Sequence, residues 1–282
     1  MSLREIYYIL SPNLRLLARK VYYFPIDFYA TIVKKRSKYE PKKGDIYIGS
    51  GDFIKQGEHQ VNLLKKYANL KEKDCVLDIG SGIGRTAVSL TKFLTKEGRY
   101  EGFDVVEKGV KWCNSRIKKD FSNFNFIYVP LNNDLYNSKE KKASEFKFPY
   151  PDKTFDVVFL FSVFTHMQID EIEHYLSEIH RVLKSNGKCL STFFLYNSNN
   201  ESIVSNIEGF SFPIKKEGYR LMSDKVKSAN IAINESQLDM MTAKNNLCKI
   251  TVVEGSWKAK EQSLGVNIDD EYQDIVVLEK KS

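Results

Sequence analysis

The sequence predicts an α/β fold in which a doubly wound, mostly parallel sheet follows a helical N-terminal arm. Three observations support this prediction. From residue 56 onward, strand-like and helix-like segments alternate, which is typical of a parallel sheet with helices on both faces. Three alternating glycines, Gly80, Gly82 and Gly84, follow an apolar strand-like run and favour a tight turn that brings a ligand to a helix N-terminus. Residues 1–43 instead carry apolar side chains at steps of three and four, the spacing of a helix.

The elements follow from local patterns, because strands appear as short apolar runs and helices as amphipathic stretches. Strands are expected at 74–79, 100–104, 125–129, 155–161, 187–196, 249–256 and 273–279, and helices at 56–68, 84–96, 107–118, 169–184 and 235–247. Residues 131–150 form a polar insertion. Residues 197–234 are rich in Asn and Ser and show no regular pattern. Such a stretch is usually a lid or a substrate-binding insertion, so we expect a substrate lid at 197–234 within a domain that spans 45–282.

Residues 1–44 are predicted to form a basic, aromatic helical arm. Ser11-Pro12 divides it into two helices, since Ser11 is a good cap and Pro12 suits the first helical position. Aromatic side chains follow among basic ones: Tyr22, Tyr23, Phe24, Phe28 and Tyr29. Two interpretations stay open. The arm makes a peripheral contact with an anionic membrane through residues 1–43, or it packs its aromatic residues on the main domain and leaves a solvated basic face, which is the commoner arrangement.

Charge and composition narrow the function classes. Residues 1–43 contain ten Lys or Arg and three Asp or Glu, so they account for the whole net charge of +7. A nucleic-acid enzyme more often carries its basic surface around the active-site domain, and no nucleic-acid partner is expected. The hydrophobic fraction of 42% and the charged fraction of 28% are typical of a globular chain. The longest apolar runs have five residues, too few for a membrane span.

The four cysteines, Cys75, Cys113, Cys189 and Cys248, form no C-x-x-C pair and no Cys/His cluster with zinc spacing. No metal site and no disulfide framework is therefore expected. Scattered thiols are typical of a reducing compartment, and the sequence does not begin with a signal-peptide pattern. We expect a cytoplasmic protein.

The glycine turn distinguishes two kinds of ligand. The dinucleotide fingerprint requires G-x-G-x-x-G, and Arg85 rather than glycine follows Gly84. Asp78 lies two residues before the first glycine. Its carboxylate would repel a pyrophosphate, whereas it is favourable beside an ammonium and a sulfonium. These residues indicate S-adenosylmethionine, which is cationic at both places and contains no phosphate.

Asp104 ends the second predicted strand, 20 residues after Gly84. An acid at this position accepts hydrogen bonds from both hydroxyls of a ribose. The alternative is an exposed carboxylate at a strand end. Together with Asp78 and the glycine turn, Asp104 favours the ribose role.

The sequence resembles the class I S-adenosylmethionine-dependent methyltransferases over about residues 49–280. The resemblance rests on residues 76–85, 100–104, 155–167 and 178–188. Residues 162–167, with Trp112-Cys113 earlier, are similar to a bacterial subgroup often associated with small-molecule or sugar methylation. The resemblance implies a seven-stranded Rossmann-like sheet and methyl transfer from S-adenosylmethionine to a small acceptor, first of all a hydroxyl of a sugar or glycan precursor. N- or C-methylation of another metabolite, a non-catalytic S-adenosylmethionine-binding scaffold and an NAD-linked oxidoreductase remain alternatives.

The resemblance also implies roles for individual residues. Gly80, Ser81 and Gly82 would contact the methionine part and the ribose of the cofactor. Asp78 would lie near the amino-acid end, and Asp104 would hold the ribose.

At the adenine end, the resemblance implies that Val105 and Leu131 flank the ring, with a backbone contact from Leu131, and that Phe161 borders the methionine moiety. The family often has an acid after the third strand to accept the adenine amino group, but here Pro130 occupies that position. The possible substitutes are Asn132, Asn133 and Asp134. Phe53, in the segment 49–57, is the candidate to cover the cofactor; the alternative is that this segment is a hinge.

His166 is the candidate catalytic residue. It directly follows the strand 155–161, at the edge of the sheet where substrate binds, whereas the other three histidines fall on predicted helices. An imidazole there can accept a hydroxyl proton near neutral pH. The alternative is that His166 caps the next helix or orders the loop. Aromatic residues that line an acceptor pocket or, more commonly, pack in the core are Trp112, Tyr136, Tyr150, Tyr219 and Trp257.

Overall fold

The computed structural model of the chain describes residues 11–258 and 271–281, apart from positions 34, 48, 50, 134, 137 and 138 and the side chains at 12 and 13. The first predicted helix of the arm, before Ser11, lies outside the described residues. The helices are α1 (Pro12–Ile32), α2 (Phe53–Ala68), α3 (Arg85–Leu90), α4 (Glu107–Cys113), α5 (Ile169–Val182), α6 (Glu201–Val204) and α7 (Glu235–Lys244). The strands are β1 (Cys75–Ile79), β2 (Arg99–Asp104), β3 (Phe124–Tyr128), β4 (Phe155–Leu160), β5 (Leu183–Phe193), β6 (Leu195–Tyr196), β7 (Ile214–Lys216), β8 (Tyr219–Leu221), β9 (Ile231–Asn234), β10 (Leu247–Val253) and β11 (Asp274–Lys280).

The main sheet has seven strands in the order β10-β11-β5-β4-β1-β2-β3. The strand β11 is antiparallel to both of its neighbours, and the pairs from β5 to β3 are parallel. The chain therefore has the predicted doubly wound, mostly parallel architecture. The strand order reverses between β1 and β4, and ligands of such sheets bind in the crevice at the carboxyl ends of the strands there.

The core lies on both faces of this sheet. Val76 and Leu77, successive buried residues of β1, belong to two different apolar clusters, because alternate side chains of a strand point to opposite faces. The first cluster packs α5 and α7 against the sheet, and the second packs α2 and α3. This two-sided burial explains why β1 and β4 appear in the sequence as mainly apolar runs, each with one aspartate.

The predicted helix over 84–96 is wrong beyond Leu90, where α3 ends. The chain turns there because the N–H of Thr95 donates to the carbonyl oxygen of Glu72 at 2.9 Å, which pulls the connection toward the loop before β1. The predicted helix over 107–118 is confirmed, although its second part, Asn114–Lys118, is a π-helical turn.

Residues 197–234 do contain regular structure, contrary to the sequence-based expectation. The strands β7, β8 and β9 join β6 in a second sheet of order β6-β9-β8-β7, and α6 precedes them. These strands have three or four residues, too few for a clear alternation. Arg220 on β8 is also buried, because its guanidinium donates to the carbonyl oxygens of Phe212 and Pro213 and pairs with Glu201. A buried polar residue in so short a strand removes the alternation of apolar and polar side chains that would indicate the strand in the sequence.

The helix α1 begins as predicted, since the Ser11 hydroxyl accepts the N–H of Leu14 and Pro12 takes the first position. The expectation that its five aromatic residues pack on the main domain is wrong for all but the half-buried Tyr23. Tyr22 is 74% exposed and Phe24 is 63% exposed, whereas the charged Asp27 is buried. None of the helices in the described ranges is long and apolar enough to cross a membrane.

Candidate active site

A cavity of about 350 Å³ opens at the carboxyl ends of β1, β2 and β4, the crevice expected for this topology. Its size lies within the range of small-molecule sites, roughly 300–1,000 Å³. Most of the residues predicted from the sequence line it: Asp78, Gly80, Ser81, Asp104, Val105, Leu131, Phe161 and His166. Gly82 does not line the cavity; its backbone N–H donates to the Asp104 carboxylate, which does.

The glycine turn holds β1 close to the end of β2. Gly80 has a φ of +78°, a conformation that side chains disfavour, and a Cβ at this position would lie 2.4 Å from Val163 Cγ2. The N–H groups of Gly80 and Ser81 both donate to the carbonyl oxygen of Phe103, at 2.9 and 3.1 Å. The turn is therefore shaped by the backbone of β2, and glycine at position 80 is a packing requirement.

The carboxylate of Asp104 is fixed by the same turn. Its Oδ2 accepts the N–H of Gly82 at 2.8 Å, and its Oδ1 accepts the N–H of Val106 at 2.7 Å. Asp104 is only 7% exposed, so the alternative of an exposed strand-end acid is wrong. Burial raises the pKa of Asp104 to about 6, and the backbone N–H groups partly offset this effect. Gly82 thus orients the carboxylate that faces the cavity.

Asp78 is the second buried carboxylate of the cavity. Its Oδ2 accepts a hydrogen bond from the Tyr100 hydroxyl at 2.7 Å. Burial raises the pKa of Asp78 to about 7; the Tyr100 hydrogen bond opposes the shift and the nearby charge of Asp104 adds to it. A cation bound beside Asp78 would stabilise its ionised form, as the sequence analysis anticipates for an ammonium or a sulfonium.

Two hydroxyl groups on the cavity wall are buried without a hydrogen-bond partner among the described residues: Ser81 Oγ and Tyr47 Oη. Buried polar atoms normally have a partner, so both groups suit a polar ligand. Burial raises the pKa of Tyr47 well above its ordinary value, which keeps its hydroxyl protonated. Ser81, two carboxylates and the open glycine turn together fit the polar half of S-adenosylmethionine.

The segment before α2 does approach the cavity, but through other residues than predicted. Phe53 is buried in the apolar core behind α2 and does not line the cavity, so its expected covering role is wrong. Tyr47 and Gly49 line the cavity instead. The apolar spacing of α2 places Phe53 inward, and no periodic signal marks an isolated Tyr47.

Val105, Leu131 and Phe161 form the apolar part of the cavity wall. The N–H of Leu131 donates to the carbonyl oxygen of Val129 at 2.9 Å, so a backbone contact from Leu131 to an adenine ring is left to its carbonyl oxygen. Asn132 and Asn133 also line the cavity, while Asp134, the third possible substitute for the missing acid, lies outside the described residues.

His166 lies on the 3-10 turn Phe164–His166, which three residues separate from the end of β4, and lines the cavity. Its Nδ1 is 2.8 Å from the carbonyl oxygen of Ser228. Because a carbonyl oxygen can only accept, Nδ1 carries the proton and the neutral ring has its lone pair on Nε2. Burial lowers the pKa of His166, and the carbonyls of Ser228 and Ala229 partly offset this. The ring is therefore neutral near pH 7, the form that can accept a proton.

Arg85, which is not among the ligand contacts predicted from the sequence, lies on the cavity wall at the start of α3. Arg85 is a buried cation, and burial lowers its pKa. Gln60 and Thr86 line the same region, and the Thr86 hydroxyl donates to Gln60 Oε1 at 2.7 Å. Residue type alone gives no signal for these positions, because α2 and α3 reach the cavity only through tertiary packing.

Of the five aromatic candidates for an acceptor pocket, Tyr136 lines the cavity, with its ring 6.4 Å from that of His166. The others lie elsewhere: Trp257 is fully buried and donates from Nε1 to Asp274 Oδ2, Tyr150 is in the core, Trp112 packs against the second apolar cluster and the Tyr219 hydroxyl is 3.4 Å from Gln168 Oε1. Within the described ranges, no group of three or more His, Cys, Asp or Glu side chains is placed to hold a metal ion.

Known proteins share this domain. Residues 77–191 match a family model described as a methyltransferase domain. A ubiquinone/menaquinone biosynthesis C-methyltransferase of Wigglesworthia glossinidia brevipalpis is 26% identical over 141 residues, which cover 49% of this chain and 51% of the relative. A 2-phytyl-1,4-naphtoquinone methyltransferase of a Nostoc species is 23% identical over 145 residues, covering 51% of this chain and 57% of the relative. The chain thus spans about half the length of the curated relatives it matches.

The fold agrees with solved structures as well. A SAM-dependent methyltransferase from Methanosarcina mazei superposes with a TM-score of 0.52 at 19% identity, over 78% of this chain and 97% of that one. The matched segment 77–191 begins in β1 and ends in β5, so it contains the glycine turn, Asp104 and His166. Residues 77–191 thus match a methyltransferase domain, and the sheet has the fold of solved S-adenosylmethionine-dependent methyltransferases.

Proposed function

We propose that the chain binds S-adenosylmethionine in this cavity and transfers its methyl group to a small acceptor. The observation that carries the proposal is the pair of buried carboxylates at the glycine turn. Asp104 is held by two backbone N–H groups and Asp78 by the Tyr100 hydroxyl, and both line one cavity. Burying two acids is unfavourable for an empty site and favourable for one that receives a cation and a diol.

In this proposal the polar groups bind the cofactor by their chemistry. The Asp104 carboxylate accepts hydrogen bonds from the ribose hydroxyls, and Asp78 faces the positive end of the amino acid. Ser81 and Tyr47 offer their unpartnered hydroxyls to the ligand. Arg85, as a buried cation on the wall, is the group that suits the methionine carboxylate.

The apolar groups complete the site. Val105 and Leu131 enclose the adenine ring between their side chains, and Phe161 borders the methionine moiety. The bound cofactor supplies the electrophilic methyl group. The protein aligns the acceptor with it and excludes water, which is the main requirement of an in-line displacement.

We infer that His166 removes the proton from the acceptor. Its neutral ring has a lone pair on Nε2, since the Ser228 carbonyl holds the proton on Nδ1. His166 Nε2 would take the proton of an acceptor hydroxyl as its oxygen bonds to the methyl carbon; the methyl–sulfur bond would break, leaving a methyl ether and S-adenosylhomocysteine. The resemblance of residues 162–167 to a sugar-methylating subgroup makes a hydroxyl of a sugar or glycan precursor the first acceptor class to test.

A second candidate is methylation at carbon. Two curated relatives carry names that refer to quinones, and one of them is named a C-methyltransferase. The same base would serve this reaction, because an aromatic carbon that gains a methyl group must lose its proton. The Tyr136 ring, 6.4 Å from that of His166 on the cavity wall, is compatible with a planar acceptor.

We also propose that the segment 197–234 closes the acceptor side of the cavity. Ser228 accepts the hydrogen bond from His166, and Asn230 lines the cavity, so the end of this segment already reaches the candidate base.

Methyl transfer is tested with S-adenosylmethionine carrying a ¹³C-labelled methyl group. Sugar nucleotides and reduced naphthoquinones serve as acceptors, and the carbon chemical shift of the product separates an O-methyl from a C-methyl group. If no product forms with either acceptor class while the cofactor still binds tightly, the non-catalytic scaffold is favoured over the enzyme.

The variant His166→Asn tests the base. The Asn amide can still donate to the Ser228 carbonyl, but it cannot accept a proton. We expect kcat to fall by about 10²–10⁴-fold, with unchanged affinity for S-adenosylhomocysteine. In the parent protein, kcat/KM should rise with pH through the pKa of His166, which burial holds below about 6.5, and this limb should vanish in the variant. Full turnover by His166→Asn would exclude His166 as the base.

A further inference from the structure

The helix α1 is amphipathic, but its polar face is turned toward the rest of the chain and its apolar face is exposed. Its face toward the rest of the chain carries Arg15, Arg19, Tyr23 and Asp27, at steps of four residues. Arg15 and Asp27 are buried and the other two are half-buried. An ordinary surface helix buries its apolar stripe and exposes its charges, so the packing of α1 on this domain does not explain its apolar residues.

Polar contacts hold the inner face in place. The Arg15 guanidinium donates to the carbonyl oxygen of Leu135 at 2.9 Å. The Asp27 carboxylate accepts the backbone N–H groups of Lys43 and Gly44 at 2.8 and 2.9 Å, and pairs with Arg36 at 3.0 Å. These contacts fix the rotation of the helix about its axis and therefore determine which side chains face outward.

The outward face is a concentrated apolar surface. The described part of the chain has fifteen exposed large hydrophobic side chains, and ten of them lie within 14–33: Leu14, Leu17, Val21, Tyr22, Phe24, Ile26, Phe28, Tyr29, Ile32 and Val33. At 100° per residue the nine that lie in α1 cover an arc of roughly 200° around the helix, about twice the width of an ordinary core-facing stripe. Apolar patches of this kind mark interaction surfaces.

The width and composition of this arc favour a lipid interface. A partner helix or groove covers a narrower stripe, whereas a bilayer surface can receive the whole arc along a helix about 30 Å long. Tyr22 and Tyr29 lie on the arc, and tyrosine is favoured where one end of a ring is apolar and the other is wet. The basic charge is in the same region, because residues 1–43 carry the net charge of the chain and Lys35, Lys42 and Lys43 are exposed.

We propose that α1 docks the chain on the surface of an anionic bilayer, with its axis in the membrane plane and the exposed arc between headgroups and acyl chains. This inference goes beyond the proposed function, which requires no membrane. The helix bonds to Leu135, and Lys20 pairs with Asp45 at 3.6 Å; these partners are close in sequence to Tyr136 and Tyr47 on the cavity wall. Docking through α1 therefore brings the methyl-transfer cavity to the membrane surface.

Vesicle flotation of the full chain tests the proposal. The vesicles contain phosphatidylcholine with about one quarter phosphatidylglycerol, which gives an anionic surface. The double variant Phe24→Ser/Phe28→Ser removes two exposed rings from the arc, and Ile250→Ser/Val252→Ser removes two exposed apolar side chains from β10 as the matched control. We expect the first variant to lower vesicle binding by roughly tenfold or more and the control to change it less than about twofold. Unchanged affinity for S-adenosylhomocysteine shows that both variants are folded.

Two further measurements distinguish a bilayer from other binding partners of the exposed arc. Pure phosphatidylcholine vesicles, or roughly 0.5 M salt, should weaken binding, because screening removes the electrostatic attraction. A Tyr22→Trp probe should shift its fluorescence to shorter wavelength on anionic vesicles. Equal flotation of the Phe24→Ser/Phe28→Ser variant and the parent protein would overturn the proposal. So would an absence of flotation, and in that case a dimer that this variant dissociates would identify a second copy of the chain as the occupant.

Discussion

Asp78 and Asp104 are carboxylates that the fold removes from water and leaves facing a cavity. Burial raises the pKa of Asp78 to about 7 and that of Asp104 to about 6. A group whose pKa rises on folding is less stable when ionised in the folded chain than in the unfolded chain. The site therefore destabilises the free protein near neutral pH, and a bound cation or a hydroxyl donor recovers this free energy.

The loss of folding stability caused by burying the ionised Asp78 carboxylate can be measured with the variant Asp78→Asn. The folded pKa of Asp78 lies above its unfolded value, so the free energy of unfolding of the parent protein falls as pH rises from about 4 to 7. An asparagine cannot ionise, and its oxygen can still accept from Tyr100. We expect the variant to be more stable than the parent at pH 7.5 by ~2–4 kcal/mol and to lose most of this advantage near pH 4. Thermal unfolding at the two pH values checks it, and a variant that is less stable at both would contradict the account.

Several of these residues could be predicted because the chemistry follows the backbone motif. Asp78 and Asp104 are found by counting from the glycines, and both line the cavity. Tyr47 and Arg85 were not predicted as ligand contacts, since their approach depends on how α2 and α3 pack on the sheet. Gly82 was assigned to the cofactor, but it binds the Asp104 carboxylate; a spacing rule cannot distinguish a ligand contact from the support behind it.

Among the elements, β11 joins the two sheets through one buried side chain. The Asp274 carboxylate accepts the N–H groups of Leu195 and Gly255, at 2.7 and 2.8 Å, and the indole N–H of Trp257 at 2.8 Å. Leu195 begins β6 of the small sheet, and Trp257 belongs to its aromatic cluster. A single acid therefore orders the connection between the methyltransferase sheet and the insertion.

Asp274→Asn tests this connection. The amide would place an N–H against at least one of three buried donors, so we expect a loss of about 2–3 kcal/mol in the free energy of unfolding. Asp152→Asn is the matched control, because Asp152 is an exposed acid that pairs with Arg181, and its change should be small. Calorimetric unfolding of both variants gives the comparison. Equal midpoints for the two variants would show that Asp274 does not stabilise the junction.

Strands that are buried on both faces of the sheet could be predicted from the sequence, whereas partly exposed strands could not. The strands β1 and β4 are mainly apolar, each with one aspartate, and the observed bounds agree with the prediction within one or two residues. The small sheet escaped prediction because Lys215 and Lys216 on β7 are exposed while Arg220 on β8 is buried, which removes the hydrophobic signal. The arm was predicted as a helix, but its orientation depends on the polar contacts of Arg15 and Asp27, which no hydrophobic pattern reveals.

At the scale of the whole molecule, the basic charge and the exposed apolar side chains of the N-terminal region precede the methyltransferase domain in sequence. In the structure they lie beside its cavity. The net charge of +7 belongs to residues 1–43, and the helix of that region is attached beside the cavity wall through Leu135 and Asp45. The methyltransferase domain follows from β1 onward. The cofactor site and the helix make independent predictions, because the cavity is complete without any lipid.

Calorimetric titration with S-adenosylhomocysteine tests the central claim most directly, with NADH as the comparison ligand. We expect saturable binding of S-adenosylhomocysteine that is lost in Asp104→Ala, because that change removes the carboxylate held by Gly82 and Val106. We expect no saturable binding of NADH. Binding of NADH without binding of S-adenosylhomocysteine, or full S-adenosylhomocysteine affinity in Asp104→Ala, would contradict the assignment of this cavity.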